Sequence, residues 1–365
     1  MVNETRLSRR DFLKWLSFTT LGGVLVRPWS KSLLSIPDFP QAERLGRVCV
    51  GKVEVKARPD EDSETVAVFY EDSVVPWIQE KIGRWPFRNN QRFVEIPEGY
   101  IWSPYLQPVE NKPNAPVENL PTYGNDTGMW VEVTVPWVDV ILDNPPPRSH
   151  WLRYRAEHGL PPRMYYSQIL WIDRLKKDEN GQVWYRINER YGNPGDIFWG
   201  PAEAFRPLTQ DEILPINPDS EEKRVVVNVN WHNQTLSCFE GNREVYYCRI
   251  SSGVKSGSTP VTPFGSKGYP IWRKLYSIHM AGGTNEAGWD LIGIGWTALF
   301  VGEGVALHST FWHNNFGEPM SHGCVNLSPE DAKWIFRWTL PVVPYDTGDI
   351  TIVGEGSTKV VVVED

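Results

Sequence analysis

The chain has 365 residues, with 37 Lys and Arg against 45 Asp and Glu for a net charge of −8. That length builds two or three domains with a core each. With no Lys/Arg cluster beyond the N-terminus, the acidic balance argues against nucleic acid as a partner. The 18 Trp and 30 Pro point to short strands, small aromatic cores and many turns, so the expected fold class is mainly β. Trp also lines saccharide and peptide grooves, but burial is its commoner use.

The N-terminal residues stand apart. Ser8-Arg9-Arg10-Asp11-Phe12-Leu13-Lys14 precedes an apolar run over residues 15–26, shorter than the roughly 20 residues a membrane span needs. It fits the apolar region of a signal peptide. The arginine pair followed by Phe-Leu-Lys resembles the twin-arginine export signal, which implies an extracytoplasmic location, in the periplasm or cell wall. No small-x-small cleavage site follows, so retention of residues 1–40 as a signal/anchor and linker stays open.

Two Pro-rich polar stretches, residues 107–127 and 206–223, lack apolar periodicity and read as linkers. They leave domains at 44–109, 128–208 and 222–355. In the first, Val48-Cys49-Val50, Val53-Glu54-Val55, Val66-Ala67-Val68 and Val74-Val75 read as short strands between turn residues. With Ala57-Arg58-Pro59 and the closing Gly99-Tyr100-Ile101-Trp102-Ser103, this domain resembles the bacterial SH3-like modules, small β-barrels often attached to cell-wall enzymes. Ile101-Trp102-Ser103-Pro104 with Leu106-Gln107-Pro108-Val109 is echoed by Phe198-Trp199-Gly200-Pro201 with Phe205-Arg206-Pro207-Leu208. That repeat marks 128–208 as a degenerate second copy.

From Arg224 a β-rich domain begins. Val225-Val226-Val227-Asn228-Val229 reads as a strand, and residues 235–240 and 244–250 as a hairpin around Gly241-Asn242. With a two-residue loop, Cys238 lies opposite Val245 and Cys248 opposite Thr235. Their sulfurs then sit on opposite faces and form no bridge. With Cys49 and Cys324 as the remaining cysteines, nothing reads as a disulfide scaffold. Residues 301–307 bring His308 to a strand end. After Cys324, Ser328-Pro329-Glu330-Asp331 supplies an N-cap, a first-turn proline and acids, and Ala332, Ile335, Phe336 and Thr339 share one face of a helix through Leu340. Cys324 thus occupies a short strand-to-helix connection, rigid and exposed together.

His308 and Cys324 are the candidate chemistry. A thiol is a strong nucleophile as thiolate, and a neighbouring imidazole generates one near neutral pH. Burial as a small apolar residue is the alternative fate of Cys324, which its polar Ser321-His322-Gly323 neighbours disfavour. His308, His313, His322 and Cys324 also form a candidate zinc set, but no HExxH or paired CxxC accompanies them. A papain-like peptidase places its histidine after its cysteine, and here none follows Cys324. His313 reads as decoration of the loop Phe311-Trp312-His313-Asn314-Asn315, His232 and His279 as core or surface residues, and Trp289 and Trp296 as lid or packing.

Ala306-Leu307-His308-Ser309 and Ser321-His322-Gly323-Cys324-Val325-Asn326 resemble the signature of the L,D-transpeptidase family. Ser252-Gly253, Thr259-Pro260 and Thr262-Pro263 agree, although the family's Thr-Pro-x-Gly is approached here by Thr262-Pro263-Phe264-Gly265. The resemblance implies Cys324 as nucleophile on a peptide carbonyl and His308 as its base, oriented by the backbone carbonyl of Ser309. Amides of His322, Gly323 and Cys324 are the candidate oxyanion donors. Ser321 and Asn326 shape the turn or contact substrate, and His322 is catalytic or structural. It further implies peptidoglycan stem peptides as partners, a thioester with a stem tetrapeptide passed to an acceptor amine, and no cofactor or metal. Thioester hydrolysis, as in an L,D-carboxypeptidase, and a non-catalytic wall-binding protein are the alternatives.

Overall fold

Alternating Val, Ile and aromatic residues between Gly, Pro and Asp turns fold into short strands along almost the whole chain. The computed structural model describes residues 35–365 apart from 125, 283–288 and 303. The export and anchor readings therefore fall on residues outside those described. The described residues belong to one compact unit, and among them no helix is long and apolar enough to cross a membrane.

In the first region, a five-stranded and a three-stranded sheet enclose a core of Val53, Val55, Val94, Ile96, Ile101 and Leu106. Val53 and Val55 face inward while Lys52 and Glu54 face water, the strand alternation expected of them. The repeat seen in the sequence has matching local geometry. Trp102 (φ −61°, ψ 123°) leads through a 3₁₀ turn to Leu106 (−117°, 118°), and Pro201 (−64°, 123°) through another to Phe205 (−121°, 121°). Each closing strand also pairs antiparallel with the first main strand of its region: Leu106–Val109 with Leu45–Val48, and Phe205–Pro207 with Met129–Val133.

The second region adds what the repeat does not foretell. A helix at His150–Glu157, capped by Ser149 Oγ accepting the Leu152 N–H, interrupts its six-stranded sheet. Neither Pro-rich stretch is a free linker. Lys112 and Asn114 donate their N–H groups to Thr134 and Glu203 carbonyls, and Val117 and Leu120 pack on the second core. In the other stretch Glu212 binds both Arg206 and Lys333, pinning it to the C-terminal helix.

The C-terminal region is built from two five-stranded sheets. Its strand Lys359–Val363 lies beyond residue 355, yet pairs in parallel with Lys223–Asn230 and completes the sheet. In the hairpin Asn233–Glu240/Arg243–Arg249 the register shifts after Cys238, which faces Tyr246 and leaves Val245 as the extra residue. This bulge corrects the two-residue-loop reading. Cys248 pairs with Leu236, so Cys238 and Cys248 share the core face as free thiols.

Helix Pro329–Trp338 lies against the second sheet with Ala332, Ile335 and Phe336 buried, and Ser328 Oγ caps it by accepting the Asp331 N–H at 3.2 Å. Its other end leaves carbonyls without helical partners. Lys274, buried, donates from Nζ to Phe336, Thr339 and Pro341 carbonyls at 2.7, 2.7 and 2.8 Å. Lys223 does the same for Ile216 and Trp338. Lys274→Met keeps the bulk and removes three donors from buried acceptors; a stability loss of about 3 kcal/mol is expected in denaturant unfolding. Unchanged stability would show that the carbonyls do not need the ammonium.

Candidate active site

The site is set by two short parallel strands. Val305–Ser309 pairs with Val325–Leu327 so that Leu307 faces Val325 and His308 faces Asn326. Leu307, Val325 and Leu327 turn into the core that also holds the helix residues. Alternation sends Ala306, His308 and Asn326 to the other face, and Cys324 packs there beside Ala306, Leu275 and Leu299. The sequence order His308, then Cys324, is thereby converted into neighbouring positions on one surface.

The turn before Cys324 is knit by its own residues. Ser321 Oγ accepts the Gly323 N–H at 3.0 Å and donates to the Cys324 carbonyl, and Thr259 Oγ1 donates to the Gly323 carbonyl at 2.7 Å. Gly323 has φ +154°, and a Cβ there would lie 2.7 Å from the Ser258 carbonyl oxygen, so no other residue fits. Ser321 is therefore a turn-shaping residue. The Gly323 N–H is spent inside the turn, so of the three expected oxyanion donors the amides of His322 and Cys324 remain without a partner among the described residues.

His308 is buried, with its Nδ1 2.9 Å from the Ser309 carbonyl. A carbonyl accepts only, so Nδ1 carries the hydrogen and Nε2 presents its lone pair. Burial lowers its pKa to about 4, which keeps the ring neutral. Burial also raises the Cys324 thiol, whose sulfur donates to the Gly304 carbonyl at 3.2 Å. The structure thus brings both residues to one face but not into a mutual hydrogen bond. Thiol and neutral imidazole are the resting forms.

The remaining histidines divide. His322 is exposed, its ring stacked at 4.4 Å on Trp289, at the rim of the site. His313 is buried against Asn326 rather than decorating its loop. His279 is buried between Glu189 and Asp290, which raise its pKa to about 9 against the effect of burial. Glu189 belongs to the second region, so this triad fastens that region to the hairpin Arg273–Gly282/Trp289–Val301. Trp296 is core packing, beside Tyr276 and Phe336. Phe264 of the Thr-Pro-Phe-Gly segment is fully exposed.

Sequence reading missed two contributions from outside the domain. Tyr191, from the second region, packs against the Leu275, Leu299 and Ala306 cluster on which Cys324 also lies, and its hydroxyl donates to the Thr347 carbonyl. The loop between the two halves of the motif is held by the first region: Arg47 Nη2 donates to the Phe311 carbonyl at 2.5 Å, and Glu318 accepts the N–H groups of Asn89 and Asn90 at 2.8 and 3.4 Å. Nothing in the spacing of isolated arginines or glutamates signals such contacts.

A family model for YkuD, the L,D-transpeptidase catalytic domain, matches residues 222–362. Similar solved structures include a mutant of the Enterococcus faecium L,D-transpeptidase, 21% identical over 39% of this chain and 50% of that one with a TM-score of 0.29. An L,D-transpeptidase from Mycobacterium smegmatis is 18% identical over 67% of this chain and 98% of that one, with a TM-score of 0.28. One from Mycobacterium tuberculosis H37Rv is 17% identical over 67% and 98%, with a TM-score of 0.28. The chain spans about half the length of the first of these. No curated protein matches it.

The raised thiol gives a direct test. Alkylation of Cys324 by iodoacetamide at pH 7 is expected to be slower than that of free cysteine, and to climb with pH beyond the ordinary thiol range as thiolate forms. A plateau already reached near pH 7 would reveal a preformed thiolate–imidazolium pair instead.

Proposed function

We propose that this chain, whose residues 222–362 belong to the YkuD family of L,D-transpeptidase catalytic domains, is an exported enzyme that cross-links peptidoglycan stem peptides through Cys324. One observation carries the reading. Within a domain of that family, Cys324 and a neutral His308 with a free Nε2 lie on the same face of paired parallel strands. The arginine pair Arg9-Arg10 ahead of an apolar run supports export by the twin-arginine route.

The chemistry follows from the resting protonation states. As Cys324 turns from Gly304 toward His308, Nε2 takes the thiol proton while the sulfur bonds to the carbonyl carbon before the terminal D-residue of a stem tetrapeptide. General base help of this kind contributes about 100- to 10,000-fold. The tetrahedral oxyanion is met by the amides of His322 and Cys324, the pair left open by the turn. The C–N bond then breaks, the departing amine collects the proton from His308, and an acyl thioester remains. An acceptor amine attacks the thioester, gives its proton to Nε2, and releases the cross-linked peptide as the proton returns to sulfur. Because His308 is buried and neutral, no ion pair has to be neutralised before the first step.

The His322–Trp289 stack, at the rim, is suited to contacting peptide rather than to proton transfer.

The test uses the full chain with a defined stem tetrapeptide, with and without an acceptor amine, and reads products by mass. Loss of the terminal residue and an acceptor-joined product are expected, with Cys324→Ala slower by at least about 1,000-fold. Hydrolysed tripeptide alone in the presence of acceptor would make the enzyme an L,D-carboxypeptidase. Cross-linking by the Cys324→Ala variant would overturn the assignment.

A further inference from the structure

His313 lies outside both halves of the motif, yet its ring is buried and contacted at both nitrogens. Its Nδ1 accepts the backbone N–H of Asn315 at 3.2 Å, and its Nε2 lies 2.9 Å from the Asn326 carboxamide. The ring is 6% exposed and Asn326 2%. Since Nδ1 is an acceptor, the neutral ring carries its hydrogen on Nε2 and must donate to the carboxamide. A carboxamide's two ends are distinguished by their partners. As placed, Asn326 Nδ2 faces Nε2–H, two donors together, so the carboxamide is read turned over: its oxygen accepts from Nε2–H, and its –NH2 takes the arm of the buried Oδ1, which has no partner. Asn326 shares its rung with His308 and follows Cys324 by two residues on the same face. A buried, unpaired amide donor beside a nucleophile costs free energy unless a ligand completes it.

We propose that His313 is a positioning residue, which fixes the Asn326 carboxamide so that its –NH2 donates to the acyl group held at Cys324. This rests on the acyl-transfer reading above and adds to it a side-chain donor set by a residue outside the motif. Burial and the neighbouring His308 hold the His313 pKa to about 3 and keep the ring neutral, and the Asn315 N–H on Nδ1 sets its tautomer. The loop segment Phe311-Trp312-His313 thereby acts on the chemistry through Asn326.

Two readouts test it on the full-length chain. Carbapenem acylation of Cys324 requires a carbonyl oxygen to be stabilised, whereas iodoacetamide alkylation displaces iodide at a saturated carbon. His313→Ala is expected to slow acylation about 100-fold, the effect of losing one such donor, and to leave alkylation unchanged. The double variant with Asn326→Ala should be no slower than Asn326→Ala alone. His313→Gln, whose amide nitrogen reaches the same point as Nε2, should restore most of the rate. Equal acylation by wild type and His313→Ala, or additive losses in the double variant, would overturn the proposal. The second readout is independent of activity: ¹⁵N imidazole shifts should show His313 as the Nε2–H tautomer from pH 5 to 8. The Nδ1–H tautomer, or titration near pH 6.5, would refute the positioning. If wild type is not acylated at all, the acyl-transfer reading fails, while the tautomer still decides the His313–Asn326 contact.

Discussion

The buried guanidinium of Arg47 is the constraint on which the rest of the structure depends. It is 3% exposed, and its charge is met by Asp72 at 2.8 Å and by Gln107 Oε1 at 2.8 and 3.0 Å. The same group donates to the Phe311 carbonyl and lies 4.4 Å over the ring of Tyr165. Three parts of the chain therefore meet on one side chain: the first region, the second region, and the loop joining His308 to Cys324. A buried charge is tolerated only when paired and hydrogen-bonded, so moving any of these parts leaves it uncompensated. Arg163, bound to Asp72 and Asp139, extends the junction, and Tyr165 stacks on Phe311 from beneath it.

The consequence for chemistry is a loop with little freedom. Its start is tied to Arg47, its middle to the Pro104 carbonyl through the Asn314 N–H, and its end to residues 89–90 through Glu318. Within that frame burial sets the protonation states. Desolvation keeps His308 neutral with Nε2 free and keeps the Cys324 proton on sulfur. The Cys324 thiol rests on the Gly304 carbonyl. A thiol so held is less prone to oxidation than a standing thiolate.

Short-range signals in the sequence were the reliable ones. The Ser328-Pro329 cap, the amphipathic helix face and the strand carrying His308 depend on neighbours within a few residues, and the helix ends at Trp338, two residues before the expected Leu340. The three-residue strand Val325–Leu327, by contrast, gave no local signal, so Cys324 precedes a strand rather than joining strand to helix. The repeat around Trp102 and Trp199 was readable because strand, 3₁₀ turn and strand are all local. The failures share a different origin. The bulge at Val245 inverts the facing of Cys248 through one unpaired residue that no composition rule marks. His279 looked isolated because its partners Glu189 and Asp290 lie 90 and 11 residues away in sequence. His313 looked decorative because its partner Asn326 is contacted across the loop. The Pro-rich stretches looked like linkers because their backbone partners belong to other strands. In each case a tertiary contact decided what local pattern left undetermined.

The loop between His308 and Cys324 is held from outside its own domain. Amide hydrogen exchange over residues 310–320, compared between the full-length chain and its Arg47→Met variant, tests this most directly. Exchange there is expected to quicken by about tenfold or more, the effect of losing roughly 1.4 kcal/mol of local protection. Helix Pro329–Trp338 should stay as protected as in wild type. Unchanged protection of the loop in Arg47→Met would contradict the claim, and would return the geometry of His308 and Cys324 to their own domain alone.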